Sequence, residues 1–195
     1  MAHIRIFIAI EIPEPIKEKI AKLQEDLKAY QERVSWTKPG NIHLTLKFLG
    51  NVEQSRIPAV AGAVNKIAEQ TRPFSLHVQD VGVFPNIKRP RIIWVGVTDL
   101  TAGSSALAGR LDLCLSDLGF QKERRKFSPH LTIGRIKAIP GAEFLGVLSA
   151  STFAGGDFMV EEIAVIKSDL KPGGAVYTPL RKVNLGINLK PEGCL

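Results

Sequence analysis

The chain of 195 residues carries a formal net charge of +7, with 45% hydrophobic and 23% charged residues. This is the composition of an ordinary globular protein and excludes disordered and fibrous classes. No apolar run approaches a membrane span, and an aromatic content of 7% is low for a single-strand binder with many stacking platforms. The positive charge instead favours a polyanionic or phosphorylated partner.

The two cysteines, Cys114 and Cys194, do not have the spacing of a zinc site or a disulfide framework. An apolar run near the start contains Arg5 and Glu11 and stops at Pro13, which indicates a strand and not a secretory signal. We therefore expect a cytoplasmic protein without a metal or other cofactor and without a membrane partner. We further expect a monomer.

The periodicity of apolar residues predicts the elements in chain order. The first half reads strand, helix, strand, helix, strand over residues 4–12, 14–30, 43–46, 55–70 and 74–84. The second half repeats this order over residues 91–97, 102–118, 130–133, 142–148 and 158–168, where 142–148 is a short helix or a turn. A final strand over 175–187 and a tail over 190–195 follow.

One tetrad occurs twice, 87 positions apart: His-Leu-Thr-Leu at 43–46 and His-Leu-Thr-Ile at 130–133. Alternation along a strand places His43 and Thr45 on one face, and His130 and Thr132 in the same arrangement. A single tetrad of this kind is easily a solvated polar face. The repetition favours one shared polar cleft, since two of the four histidines occupy matching positions. The other two, His3 and His77, are not part of such a tetrad and are expected to be structural or solvent-facing.

The repeat extends beyond the tetrads. The same offset matches Phe7 with Trp94, and it matches the final strand with residues 88–100, so the repeat closes on itself. We therefore predict an α+β fold with one domain over residues 1–195. It consists of two similar lobes, each an antiparallel sheet with helices on its outer face, and the active cleft lies between them.

Longer segments around the tetrads resemble a known superfamily. Residues 41–50 and 127–135 resemble the two signatures of the 2H phosphoesterases, and residues 5–10 and 172–180 extend the likeness to both ends. Within that superfamily the chain is similar to the RNA 2′,3′-cyclic phosphodiesterases, historically called 2′-5′ RNA ligases. The resemblance implies hydrolysis of RNA 2′,3′-cyclic phosphate ends, such as those of tRNA fragments, to 2′-phosphates. The reverse reaction, with a 5′-hydroxyl as nucleophile, would give a 2′-5′ linkage.

Two histidines suit this reaction, because water must lose a proton while the departing ribose oxygen gains one. Thr45 and Thr132 can donate hydrogen bonds to the non-bridging phosphate oxygens. Spacing alone leaves the acid and base roles open. The resemblance makes His43 the proton donor to the leaving 3′ oxygen and His130 the acceptor that activates water.

Two basic residues near the tetrads have open roles. Lys47 shares the parity of His43, so it either adds charge to the cleft or is a solvated lysine at the strand end. Arg135 matches a family arginine that is thought to assist phosphate binding. Strict alternation places Arg135 opposite His130, unless Gly134 marks a bulge.

Other features each have two interpretations. The basic run 122–126 either steers RNA or is a solvated loop. Trp36 and Tyr177 either stack a base or are core or rim aromatics. Neither tetrad has an acidic neighbour on the cleft face, and no Walker-type loop is present, which disfavours metal catalysis and ATP-driven ligation. The alternatives are a phosphodiesterase for small cyclic phosphates or 2′-5′ oligoadenylates, and a non-catalytic RNA-binding module.

Overall fold

Nine strands and four α-helices follow one another through residues 2–186, the part of the chain that the computed structural model describes. The strands are β1 (His3–Glu11), β2 (Val34–Trp36), β3 (His43–Glu53), β4 (Phe74–Phe84), β5 (Ile92–Thr98), β6 (His130–Ile136), β7 (Ala154–Val160), β8 (Glu162–Lys171) and β9 (Gly174–Asn184). The helices are α1 (Glu14–Lys28), α2 (Ile57–Glu69), α3 (Gly103–Asp117) and α4 (Ala142–Ala150).

The helices form where apolar residues recur every three or four positions. In α1 this spacing buries Ile16, Ile20 and Leu27 against the sheet, and proline is accepted in its first turn because that turn has no intrahelical use for the missing N–H. The buried apolar residues of all four helices belong to one hydrophobic cluster. The helices therefore cover one face of the sheet, as predicted for an outer layer.

All the strands belong to one antiparallel sheet in the order β7-β4-β5-β6-β3-β1-β8-β9, and the short β2 pairs with β6. The sheet curls into a half-barrel, and the predicted α+β fold class is confirmed. Strands β3 and β6 lie at its centre and meet at a single ladder pair, Leu44 with Leu131. These two leucines are 87 positions apart, so the two repeats meet on a local two-fold axis.

The strand order is symmetric about this centre: β5 corresponds to β1, β4 to β8, and β7 to β9. The equivalent strands β4 and β8 each pair with the first strand of the other repeat, because β4 pairs with β5 and β8 pairs with β1. The sheets of the two predicted lobes are thus joined edge to edge. The face without helices is concave and carries a second apolar cluster of Phe7, Ala9, Ala164 and Ile166.

Three details of the predicted repeat are wrong. Residues 158–168 are not one strand, because the chain turns at the exposed Glu161 and continues from β7 at one edge of the sheet to β8 on its other half. Trp94 corresponds to Ala9 and not to Phe7, since Ala9 faces Thr45 and Trp94 faces Thr132. The final strand, β9, corresponds by position to β7 and not to residues 88–100.

The remaining predicted elements are confirmed with shifts of a few residues at their ends, apart from the tetrad strands, which run on to Glu53 and Ile136. Residue 187, the tail over 190–195 and Cys194 lie outside the described residues. Within the described residues, no helix is long and apolar enough to cross a membrane.

Candidate active site

The two tetrads lie on the two central strands, and their histidine and threonine side chains face the concave side of the sheet. Their leucine and isoleucine side chains enter the core under the helices, so the intervening polar side chains face the other way. Because Leu44 pairs with Leu131 in an antiparallel ladder, His43 lies across from Thr132 and Thr45 lies across from His130. The structure therefore gathers two imidazoles and two hydroxyls around the local two-fold axis.

Each imidazole is oriented by the same local hydrogen bond. His43 Nδ1 lies 2.7 Å from the carbonyl oxygen of Asn41, and His130 Nδ1 lies 2.7 Å from that of Ser128. A carbonyl oxygen only accepts, so Nδ1 carries a hydrogen in both rings and donates it. The nitrogen left to exchange a proton is therefore Nε2 in both histidines.

The surroundings of the two imidazoles differ. The His43 ring packs on Phe7 at 4.7 Å between centroids and meets Tyr177 edge-on at 5.3 Å. Burial lowers the pKa of His43 below its usual value of 6.5, and the Asn41 carbonyl and the Glu11 charge oppose this effect. The His130 ring meets Phe84 edge-on at 5.0 Å. The two imidazoles are thus symmetric in backbone position but not in environment.

Both central strands carry a bulge just after the threonine. On β3 the register with β1 skips Leu46, between the pairs Ala9–Thr45 and Ile8–Lys47. On β6 the register with β5 skips Ile133, between the pairs that contain Thr132 and Gly134. A bulge adds one residue to one strand, so every side chain beyond it changes face relative to strict alternation.

This change brings Arg135 to the exposed concave side, the same side as His130 and Thr132. Gly134 does mark the bulge. A Cβ at this position would lie 2.9 Å from Val34 Cγ1 and 3.2 Å from the ring of Trp36, because β2 packs closely over it. Trp36 is thus partly buried against the core, which agrees with its interpretation as a core or rim aromatic.

The same change moves Lys47 away from the cleft, so its predicted phosphate contact is wrong. Its side chain is buried on the helix side, where Nζ donates to Asp112 Oδ1 at 2.5 Å and to the Gln121 carbonyl at 2.9 Å. Phe48 takes the place on the concave face that alternation assigned to Lys47. It packs on Phe7 at 5.7 Å and corresponds to Arg135 in the other repeat.

Sequence reasoning missed a charged group beside His43. Glu11 lies opposite His43 on β1, and its carboxylate pairs with Lys182, which also bonds Glu162 at 3.0 Å. The hydrogen bond to Glu11 raises the pKa of Lys182. The only signal in the sequence was a single acid ending a buried strand, and its position opposite His43 depends on the register between strands.

The structure also shows the surroundings of two predicted residues outside the tetrads, His77 and Tyr177. His77 on β4 bonds Asp157 of the neighbouring strand at 2.7 Å, as expected for a structural histidine. Tyr177 contacts both Phe7 and His43, so it lines the site as a rim aromatic. Among residues 2–186, no three His, Cys, Asp or Glu side chains are grouped as they would be around a metal ion.

Comparison with known proteins agrees with this geometry. The family model described as LigT like Phosphoesterase matches the chain twice, over residues 10–94 and 95–177. The RNA 2′,3′-cyclic phosphodiesterase of Methanothermobacter thermautotrophicus is 31% identical over 186 residues, which cover 93% of this chain and 99% of that protein.

Two solved structures are similar over almost their whole length. TT0787 of Thermus thermophilus matches with a TM-score of 0.82 at 26% identity, covering 95% of this chain and 100% of that one. E. coli LigT complexed with 3′-AMP matches with a TM-score of 0.76 at 27% identity, covering 94% and 99%. A curled antiparallel sheet with two His-x-Thr strands at its centre defines the class of two-histidine phosphoesterases. The chain belongs to the LigT-like phosphoesterase family.

Proposed function

We propose that this protein hydrolyses RNA 2′,3′-cyclic phosphate ends to 2′-phosphate ends, with His43 and His130 as the proton carriers. The observation that supports this most directly is the pair of imidazoles, each with Nδ1 engaged by a carbonyl and Nε2 left for the concave face. The similar Methanothermobacter protein is named an RNA 2′,3′-cyclic phosphodiesterase, which supports the proposed substrate.

The reaction needs one proton removed and one delivered on opposite sides of phosphorus. The attacking water and the leaving 3′ oxygen stand roughly in line, so a base at one end and an acid at the other suit it. Thr45 and Thr132 share the face of the imidazoles, each across from the histidine of the other strand, and their hydroxyls can donate to the non-bridging oxygens. Arg135, on the same face, adds positive charge at the edge of the site. Fixed donors of this kind stabilise charge that develops in the transition state.

We assign the proton donor to His43 and the acceptor to His130, following the family pattern. A donor must be protonated when the substrate is bound, although burial lowers the pKa of His43 in the free protein. An anionic phosphate beside the ring favours the imidazolium, so substrate binding should raise this pKa. A donor whose pKa is held down by burial also releases its proton more readily.

Product analysis tests the proposal. An oligonucleotide with a 2′,3′-cyclic phosphate end should be converted to a 2′-phosphate end in the presence of EDTA, because both proton transfers are assigned to side chains. Loss of activity in EDTA that zinc or manganese restores would contradict the metal-independent mechanism. A product with a 3′-phosphate would contradict the assigned leaving group.

Further substrates separate the alternatives. Faster turnover of a free cyclic mononucleotide or of 2′-5′ oligoadenylate would favour the small-substrate phosphodiesterase. RNA binding without any turnover would favour the non-catalytic module. One domain of two repeats, a monomer and a cytoplasmic location stay predictions. The double match of the family model supports the first, and light scattering of the purified protein would test the second.

A further inference from the structure

One end of the concave face opens into a groove of about 600 Å³. Its walls are residues 48–50 of β3 on one side and residues 120–125 on the other. Phe48 is the next side chain after Thr45 on the concave face, about two strand steps or roughly 7 Å further along. The groove therefore begins where the candidate active site ends.

The local two-fold symmetry shows why this end is open, while β2 fills the equivalent space at the Arg135 end of the described structure. Residues 121–123 correspond to β2, which pairs with β6 and fills the equivalent space beside Arg135, where Ser35 faces Arg135. In the described structure, residues 121–123 pair with no strand, and β3 has no partner on this edge beyond Leu44. The groove is thus the place of a strand that the second repeat does not form.

The loop beside the groove is held in position from beneath. Lys47 Nζ donates to the carbonyl of Gln121, and Asp112 Oδ1 accepts from the backbone N–H of Glu123 at 3.0 Å. The Lys47–Asp112 ion pair thus anchors two loop residues to β3 and α3. An anchored loop loses less conformational freedom when it binds a ligand.

The groove combines an aromatic ring with positive charge. The Phe48 ring is 53% exposed. Loop residues 122–126 are all exposed and include four basic side chains and one acid, Glu123. A basic groove with an open aromatic ring is how proteins bind single-stranded nucleic acid, by stacking on bases and contacting phosphates.

We propose that this groove binds the RNA strand on the 5′ side of the terminal nucleotide. Phe48 stacks on a base there, and Lys122, Arg124 and Arg125 contact successive phosphates. A cyclic mononucleotide has one phosphate, which the histidines take, so the groove is filled only by an oligonucleotide. The RNA therefore leaves the site at the Phe48 end and not at the Arg135 end. This inference rests on the proposed function and specifies its substrate as an RNA strand.

Binding is measured without turnover, by fluorescence anisotropy of a labelled oligonucleotide with a 2′-phosphate end. Phe48→Leu keeps an apolar side chain on Phe7 but removes the flat ring, and it should weaken binding about 5- to 100-fold, the usual contribution of one stacked base. Phe48→Tyr keeps the ring and should restore the affinity. A Phe48→Leu variant that binds as tightly as wild type would overturn the stacking contact.

The charge contribution is tested with two matched double variants. Arg124→Gln/Arg125→Gln should lower the slope of log Kd against log salt by about 1.4, since each phosphate contact to a single strand contributes about 0.7. Lys88→Gln/Arg89→Gln removes the same charge from the β4–β5 connection, at the Arg135 end, and should leave the slope as in wild type. A larger effect in the Lys88/Arg89 variant would overturn the direction of the strand.

Kinetics connect the groove to catalysis. In the Phe48 and Arg124/Arg125 variants, kcat/KM for a cyclic-phosphate oligonucleotide should fall relative to kcat/KM for a cyclic mononucleotide, by about the factor lost in binding. An equal fall on both substrates would overturn the groove as a strand site. Competition by polyglutamate as strong as by RNA would also overturn it, because it would show a surface selective for charge alone. If the wild type turns over neither substrate, the proposed function fails, while the anisotropy results still decide the groove.

Discussion

Replacing Asp112 by asparagine should leave a buried ammonium group without its counter-charge. The Lys47 side chain is 1% exposed, and its charge is balanced by the Asp112 carboxylate at 2.5 Å. Removing one partner of a buried pair costs about 3–5 kcal/mol. The Asp112 side chain is 22% exposed and admits water from its side, so we expect the lower end, about 3 kcal/mol. For a chain of this size that lowers Tm by roughly 6–12 °C.

Two controls separate the charge from the packing. Lys47→Met leaves a partly solvated carboxylate that still accepts from the Glu123 N–H, so it should cost only about 1–2 kcal/mol. Lys47→Met/Asp112→Leu removes both charges and should lie within about 1 kcal/mol of wild type, since apolar replacement of a buried pair is often neutral. Asp112→Asn should therefore be the least stable of the three variants.

The pH dependence has a definite sign. Burial raises the pKa of Asp112, but the hydrogen bonds from Lys47 and from the Glu123 N–H outweigh it and hold the pKa below its usual value of 3.8. The unfolded chain therefore takes up its proton first as the pH falls. The stability gained from the carboxylate is complete above about pH 4 and is lost as the pH falls through the lower pKa of the folded protein.

Urea unfolding followed by circular dichroism, repeated from neutral to acid pH, measures these differences. The gap between wild type and Asp112→Asn should be widest near neutral pH and should narrow in acid. An Asp112→Asn variant within about 0.5 kcal/mol of wild type at neutral pH would refute the argument, because that is the scatter of ordinary surface changes. If the difference in unfolding free energy between wild type and Asp112→Asn stayed constant down to strongly acid pH, the link between stability and the lowered pKa of Asp112 would be refuted.

The remaining predictions concern the site. Thr132→Val should lower turnover about 100-fold, the usual loss of one transition-state donor, and Thr132→Ser should recover most of it. Turnover should follow a bell in pH, and His43→Ala should remove the limb falling at high pH and His130→Ala the limb falling at low pH, each at a cost of roughly 10²- to 10⁴-fold. If His43→Ala instead removes the limb falling at low pH and His130→Ala the limb falling at high pH, the proton donor and the proton acceptor are exchanged. Glu11→Gln should lower the pKa of His43 further and Tyr177→Ala should raise it, in an NMR titration; an unmoved pKa in both would contradict burial and charge as its causes.

The sequence predicts the central pair of strands well, because the alternation of side chains along a strand depends only on neighbouring residues. Alternation along β3 and β6 alone places His43 with Thr45 and His130 with Thr132 on one face. The repetition of the tetrad alone predicts that the two faces contribute to one site. A single tetrad could be a solvated polar face, but this alternative is disfavoured once a second copy occupies the equivalent position in the repeat.

The bulges could not be predicted with the same certainty, because a bulge is a relation between two strands. The extra residue on β3 appears only against β1, and nothing near Lys47 marks it. A lysine at a strand end normally reaches solvent, so its burial under α3 depends on Asp112, 65 residues away. On β6, Gly134 did give a signal, and that signal kept open the alternative in which Arg135 shares the face of His130, which is the face the structure shows.

Long-range pairing caused the other errors. Two apolar runs, 158–160 and 163–166, are separated only by Glu161 and Glu162, and no glycine or proline lies between them, so the boundary between β7 and β8 leaves only a weak local mark. The two strands differ in their partners, β4 for one and β1 for the other, which lie in different halves of the sheet. The matches of Phe7 and of the final strand failed for the same reason, since an offset in sequence ignores residues gained or lost in connections.

The exchange of β4 and β8 between the halves makes neither repeat self-sufficient. Cut between β4 and β5, the chain would leave each fragment with one of the two imidazoles of the candidate site and with a strand that belongs in the other fragment's sheet. Two such fragments would have to trade strands to cover their open edges, and only their union would carry both imidazoles of the candidate site. The proposed reactive centre therefore lies at the seam between two halves of one molecule. Along this seam the ladder contact of Leu44 with Leu131 fixes how far apart the two imidazoles stand.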